Sequence, residues 1–138
     1  MPAETSPLDS SLDSLPHTPS DLSPLAMPLT VLVTGANGLV GRALCGELAA
    51  RGFKVLAAIR NPEAFEAMAG VDAIGAPDLS DANAQWPLVG VDVVVHTAAR
   101  VHVMNPAPDE AHRFLSVNRD GSVHLAKQCA EHHVKRLI

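Results

Sequence analysis

Residues 30 to 41 read TVLVTGANGLVG: an apolar run that ends at Thr34 and meets glycines at 35, 38 and 41, with a helix-like pattern beginning behind them. Few arrangements accept that order. β-branched and aliphatic residues in succession favour a strand. Glycines three apart remove side chains where the backbone must turn sharply or approach something closely. A strand that passes through such a turn into a helix is the opening of a βαβ unit.

The rest of the chain continues the alternation. Leu29 to Thr34 (LTVLVT) reads as a buried strand, and Leu39 to Arg51 carries apolar residues at helical spacing before closing on Gly52. Lys54 to Ile59 is a second strand and Pro62 to Ala69 a short helix with Pro in its first turn. Val71 to Ile74 is a brief third strand, followed by a loop and a weak helical turn over Asp81 to Trp86. Val91 to His96 lacks polar alternation, the mark of a strand covered on both faces of a parallel sheet. Pro108 to His133 is a long helical segment, and Val134 to Ile138 opens a fifth strand as the chain stops. Strand and helix in turn imply an α/β, doubly wound parallel sheet with right-handed crossovers, truncated after its fifth strand.

The first 28 residues differ in kind. They hold six Pro and six Ser, with Leu the only sizeable apolar residue apart from Met, and bury too little to offset the entropy of ordering. A disordered tail over residues 1–28 and one domain over residues 29–138 are expected. Met27 directly precedes Pro28 and the first strand, so translation starting there would make the tail an artefact of start-site assignment. Glu4, Asp9, Asp13 and Asp21 place four of the net −5 charges in this segment, leaving the remainder near neutral. A near-neutral domain offers no electrostatic case for nucleic acid or an anionic membrane surface. The leader has neither basic residues nor an apolar core, and no apolar run approaches the 18 or so residues of a membrane span, so a cytoplasmic location is expected. Cys45 and Cys129 fit no metal or redox spacing and read as two buried thiols.

A pyrophosphate needs backbone N–H donors at close range and the positive end of a helix dipole. Gly35 would take the tight turn, Gly38 the close approach and Gly41 the contact between helix and strand, with Ala36, Asn37, Leu39 and Val40 completing the loop. The placement of these glycines between a strand and a helix favours a dinucleotide over an ordinary turn.

The spacing G-x-x-G-x-x-G, written here as TGANGLVG, resembles the short-chain dehydrogenase/reductase superfamily, and within it the NAD-dependent epimerase/dehydratase family. Four further stretches carry the likeness over residues 29–138: Asp78-Leu79, His96-Thr97-Ala98-Ala99-Arg100, Val117-Asn118-Arg119-Asp120-Gly121-Ser122, and Val134-Lys135-Arg136-Leu137-Ile138. The resemblance implies the NAD(P)-binding Rossmann fold, an adenine contact at Asp78 and Leu79, a turn beside the cofactor at His96, Ala98 and Ala99, and an Asn118 that props the site from behind. The alternative for Asn118 is a plain helix-surface position, and for His96, at the ligand edge of the sheet, a packed turn histidine. The stretch AARVHVMNPAPDEAHRFLSVN is similar to that of bacterial nucleotide-sugar 4-epimerases and 4-reductases, which implies a UDP-sugar for the full-length family. Dimerisation through the long helix is common in that family.

The choice between NADP and NAD turns on the end of the second strand. A carboxylate there binds a ribose 2′-hydroxyl, whereas an Arg pairs with a 2′-phosphate; this chain has Arg60 and Asn61, with no acid until Glu63, which favours NADP over NAD. His112, His124, His132 and His133 lie along one helical segment at spacings that place no two on one metal, so a solvated face is expected and no metal site. Trp86 is expected to pack against the sheet edge.

The superfamily's proton transfer uses a Tyr whose pKa a neighbouring Lys lowers, and this chain contains no Tyr. The Ser/Thr and Tyr-x-x-x-Lys elements and the substrate lobe would all follow Ile138, so no catalytic residue is assigned. Three accounts stand open: the cofactor-binding portion of a nucleotide-sugar epimerase, dehydratase or reductase, inactive as this chain; a stand-alone NAD(P)-binding sensor or interaction module; or a gene product without function.

Overall fold

A computed structural model describes residues 27–101 and 108–138 of the chain. The proposed tail up to residue 26, and residues 102–107 of the long stretch quoted above, lie outside the described residues.

Five strands form one parallel sheet in the order β3-β2-β1-β4-β5. They are β1 (Thr30–Thr34), β2 (Lys54–Ile59), β3 (Val71–Gly75), β4 (Val93–His96) and β5 (Arg136–Leu137). Helix α1 (Leu39–Ala50) follows β1; α2 (Glu110–Phe114), a π-helical stretch (Leu115–Gly121) and α3 (Ser122–Glu131) run consecutively between β4 and β5. β2 and β4 flank β1 in register, Thr34 standing opposite Ala58 on one side and His96 on the other.

The period of two along the strands divides the core. Leu32, Ala58 and Val94 pack with Leu125 and Cys129 of α3, while Val31, Val33, Val55 and Ala57 pack with Cys45 of α1. The central strands β1, β2 and β4 are therefore packed on both faces, as the unbroken apolar run of β4 required. Cys45 and Cys129 are both buried free thiols, and burial raises the pKa of each.

Four expected elements differ, one of them β5, which spans only Arg136–Leu137 of the expected Val134 to Ile138. The helix over residues 62–69 is a single 3-10 turn, Pro62–Ala64, because Phe65 turns extended and drops with Met68 onto the α1 side of the sheet. There Arg42 lies over the Phe65 ring at 5.6 Å and pairs with Glu66 at 2.6 Å. Asp81 to Trp86 keeps a single turn, the Ala84 amide donating to the Asp81 carbonyl at 3.1 Å, and no helix; from Ala84 on, Ala84, Trp86 and Leu88 are buried at every second position and the chain crosses the core extended. Gln128 of α3 holds that crossing, accepting from the Trp86 amide and donating to the Ala84 carbonyl. Trp86 accordingly packs in the core cluster that holds Leu32, Val94 and Leu125, not against the sheet edge. β4 starts two residues late, since the Asp92 carboxylate takes the Thr30 amide that a ladder carbonyl would otherwise receive.

α1 and α3 end in the same way with different residues. In α1 the Gly52 and Phe53 amides donate back to Ala49 and Leu48; in α3 the His133 and Val134 amides donate back to Ala130 and Cys129. Both motifs place one residue in the left-handed region, Gly52 at φ +85° and His133 at φ +56°. Gly52→Ala should lower the unfolding free energy by about 1 kcal/mol. His133→Gly should raise it by a few tenths, relief of strain being offset by the flexibility glycine adds to the unfolded chain. Urea unfolding of the two variants checks both signs.

Candidate functional site

The sheet order reverses at β1, so the chain leaves β1 and β4 side by side in opposite directions. A crevice at the C-terminal edge of the strands follows from this topology. It is a cleft of about 840 Å³, within the range of small-molecule sites, walled by the loops that follow β1, β2, β3 and β4.

The first wall is the turn from β1 into α1. Gly35 is left-handed at φ +64°, and a Cβ there would lie 2.7 Å from the Ala98 amide nitrogen. A Cβ on Gly41 would overlap the Gly35 carbonyl oxygen and meet Thr97 Oγ1 at 2.8 Å. Both glycines are thus demanded by the protein's own backbone. Gly38 differs: a Cβ there would meet only the Gly35 carbonyl, at 3.2 Å, so its missing side chain leaves the cleft side open. Gly38 also starts α1 with no side-chain cap and no acid in the first turn. The first amides of a helix have no intrahelical acceptor, and they carry the positive end of its dipole. Asn37, Leu39 and Val40 line the cleft with the glycines, Leu39 being 91% and Val40 66% exposed. Ala36 does not; it is fully buried beside Val33 and Cys45.

The second wall comes from β2 and β3. Arg60 stands exposed on the rim at the end of β2. Across from it Asp78 accepts from the Ser80 hydroxyl at 2.7 Å and the Ser80 amide at 2.8 Å. These two bonds, with Arg60 nearby, hold the Asp78 carboxyl below its usual range. Leu79 lines the cleft too, fixed because Gly121 abuts its carbonyl so closely that a Cβ would overlap it.

The third wall is the loop after β4, and Ala98, Ala99, Arg100 and Val101 face the cleft. The loop is held by polar groups behind it. The Thr97 hydroxyl donates to the Thr34 carbonyl at 2.6 Å, and the Ala98 amide donates to Thr34 Oγ1 at 3.2 Å. His96 does not reach the cleft; its Nδ1 lies 2.7 Å from Thr34 Oγ1 and its Nε2 3.0 Å from Ser122 Oγ. Burial lowers its pKa.

Asn118 sits in the π-helical stretch, a widened turn common at functional positions. Its Oδ1 accepts from the Arg100 amide at 2.7 Å and its Nδ2 donates to the Arg100 carbonyl at 2.9 Å, so it is no plain surface position. The Arg100 side chain forms a two-pronged pair with Glu110, which is 4% exposed, and this contact pushes the Glu110 carboxyl down. His124 also departs from a solvated face, since its Nε2 lies 2.9 Å from the Ala84 carbonyl and 2.7 Å from Gln128 Nε2.

Of the residues singled out from sequence, Gly35, Asn37, Gly38, Leu39, Val40, Gly41, Arg60, Asp78, Leu79, Ala98 and Ala99 converge on one cleft; Ala36, His96 and Asn118 stand behind it. Thr34, Glu110 and the packing role of Gly121 were missed. Thr34 carried a signal, a hydroxyl closing an otherwise apolar strand. Glu110 carried none, since its partner lies across a loop.

The NAD dependent epimerase/dehydratase family matches residues 31–138. The chain is 36% identical over 123 residues to a UDP-glucose 4-epimerase of Vibrio cholerae, covering 81% of this chain and 34% of that protein. It is 35% identical over 105 residues to a dTDP-4-dehydrorhamnose reductase of Mycolicibacterium smegmatis, covering 75% and 28%. A short-chain dehydrogenase/reductase superfamily protein from Agrobacterium tumefaciens, solved with bound NAD, superposes with a TM-score of 0.58 at 29% identity, over 78% of this chain and 31% of that one. The chain thus spans about a third of the length of these relatives.

Removing Asn118 strips both partners from the Arg100 backbone, and Asn118→Ala should cost about 1–3 kcal/mol in urea unfolding. The Glu110 carboxyl is lowered in the folded state, so its contribution is fully present above the unfolded value near pH 4.3 and is lost as pH falls through the folded one. The stability gap between the wild type and Glu110→Gln should therefore hold from pH 7 to 5 and narrow below about pH 4.3; urea midpoints across that range check it.

Proposed function

The chain belongs to the NAD dependent epimerase/dehydratase family, and on that premise we propose that residues 29–138 bind NAD(P) in the cleft at the β1–β4 crossing, as the dinucleotide-binding part of an enzyme acting on nucleotide sugars. One observation carries the reading: α1 presents an uncapped first turn to the cleft, beside a Gly38 whose absent side chain leaves the approach open. Backbone donors at a helix N-terminus suit a pyrophosphate, and no carboxylate in the first turn competes for them.

The other residues divide the ligand between them. Asp78 and Leu79 take the adenine end, Arg60 the ribose beside it, and the Ala98–Arg100 backbone walls the nicotinamide half. NAD(P), when bound, supplies hydride exchange with a sugar carbon. The nucleotide-sugar substrate is supported by the epimerase and reductase relatives. Cofactor binding without turnover is the expected behaviour of the 138-residue chain, because it contains no Tyr to serve as the proton-transfer group. A stand-alone sensor module would share the same cleft.

Arg60 tilts the preference to NADP, its exposed position on the cleft rim suiting its guanidinium to a 2′-phosphate. Trp86, the single tryptophan, lines the cleft and reports binding by quenching or energy transfer to the reduced nicotinamide. NADPH should bind roughly tenfold tighter than NADH, and Arg60→Ala should erase the difference. Equal affinities in the wild type would sink the NADP assignment, and a measurable UDP-glucose epimerase rate would overturn the expectation of no turnover.

A further inference from the structure

We propose that His96 is a positioning residue held as the neutral Nε2–H tautomer, whose protonation releases the loop after β4 and thereby weakens dinucleotide binding. This goes beyond the cofactor reading and rests on it only for the binding readout.

The tautomer follows from counting hydrogens. Ser122 Oγ lies 2.7 Å from the Asn118 carbonyl, which can only accept, so the single Ser122 hydroxyl hydrogen is spent there. The remaining contact, 3.0 Å to His96 Nε2, then requires a proton on Nε2. At the other end the Ala98 amide, which can only donate, occupies an acceptor site on Thr34 Oγ1. With the proton on Nε2, the neutral ring leaves Nδ1 bare, and the Thr34 hydroxyl hydrogen donates to it. Every hydrogen in the series is committed in one direction: from the Ala98 amide through Thr34 to His96, and from His96 through Ser122 to Asn118, whose own amide group clasps Arg100.

Protonation at Nδ1 reverses one link. The new N–H faces Thr34 Oγ1, and the Thr34 hydroxyl hydrogen must turn away from its partner inside a residue that is 0% exposed. Thr34 Oγ1 can accept from the new N–H and from the Ala98 amide together, so the cost falls on the stranded Thr34 hydrogen; the side chain must shift to place it, and that shift carries its bond to Ala98, which lines the cleft with Arg100. The groups facing His96 are Thr34 from β1, Ser122 from α3 and the Ile138 carbonyl beyond β5, which accepts from the His96 amide. None of these carries a charged side chain, though in the 138-residue chain the Ile138 oxygen belongs to the terminal α-carboxylate, the one charge beside His96 among these groups; burial acts on the imidazole against its charged form.

The test uses the full 138-residue chain. In the free protein, nitrogen-15 NMR of His96 should show the Nε2–H tautomer at pH 8, and exchange protection of the Ala98 and Arg100 amides should fall together as His96 titrates. In Trp86 fluorescence titrations, NADPH affinity should fall in step with the His96 titration followed by NMR, a several-fold loss by the pH at which the ring is mostly charged. His96→Gln keeps a donor for Ser122 and cannot titrate, so it should bind within a few-fold of wild type at pH 8 and lose most of that pH dependence. An Nδ1–H tautomer, a charged ring at pH 8, or a His96→Gln variant with the wild-type pH slope would each overturn the proposal. A wild type that binds neither NADPH nor NADH at pH 8 defeats the cofactor reading, while the tautomer and amide protection still decide the His96 assignment.

Discussion

Where β1 ends the chain crosses itself with no space for a side chain, at the contact between Gly35 and the Ala98 backbone. Two parallel neighbours diverge there toward opposite faces of the sheet, and their loops cross with no room for a Cβ between them. The crossing sets the depth of the cleft, the entry angle of α1 and the position of the loop after β4. It depends on absent atoms, so the polar groups around it must hold the two loops together. Thr34 does most of this, with its carbonyl and hydroxyl both engaged by residues 97 and 98.

Behind the crossing lie polar side chains, Thr34 and Gln128 buried and Asn118 half-buried, each tied to a backbone group. Such groups add little net stability when satisfied and cost much when a partner is lost. Their effect is on shape. Asn118 fixes the Arg100 backbone and Gln128 fixes the extended crossing at Trp86, so two segments without ladder bonds of their own keep defined positions on the cleft wall. Among the described residues no buried side-chain nitrogen or oxygen lacks a partner.

The sheet was legible in the sequence almost residue by residue, because parallel strands bury both faces and their apolar runs end where the ladder ends. β2 is met at both of its boundaries, and β1 and β3 within one residue. The failures share a cause. Phe65 and Trp86 sit in stretches whose local pattern suits a helix, yet each is drawn into a core assembled from distant strands, and tertiary packing overrode propensity. Within the site, the glycines announced a turn but not which of them a ligand would need. Asn118 announced itself as a poor helix former, while its partner, a backbone 18 residues away, left no trace in local spacing. His96 was read as facing the cleft and stands behind it, since strand alternation turns its ring toward α3.

The unequal duties of the three glycines have an evolutionary consequence. Gly35 and Gly41 answer to the fold, and any descendant that keeps the β1–α1 crossing must keep them whether or not it binds anything. Gly38 answers to whatever occupies the cleft. In a lineage released from cofactor binding, the first and third glycines would persist while the second drifted, so an intact triplet records present use more faithfully at its middle position than at either end.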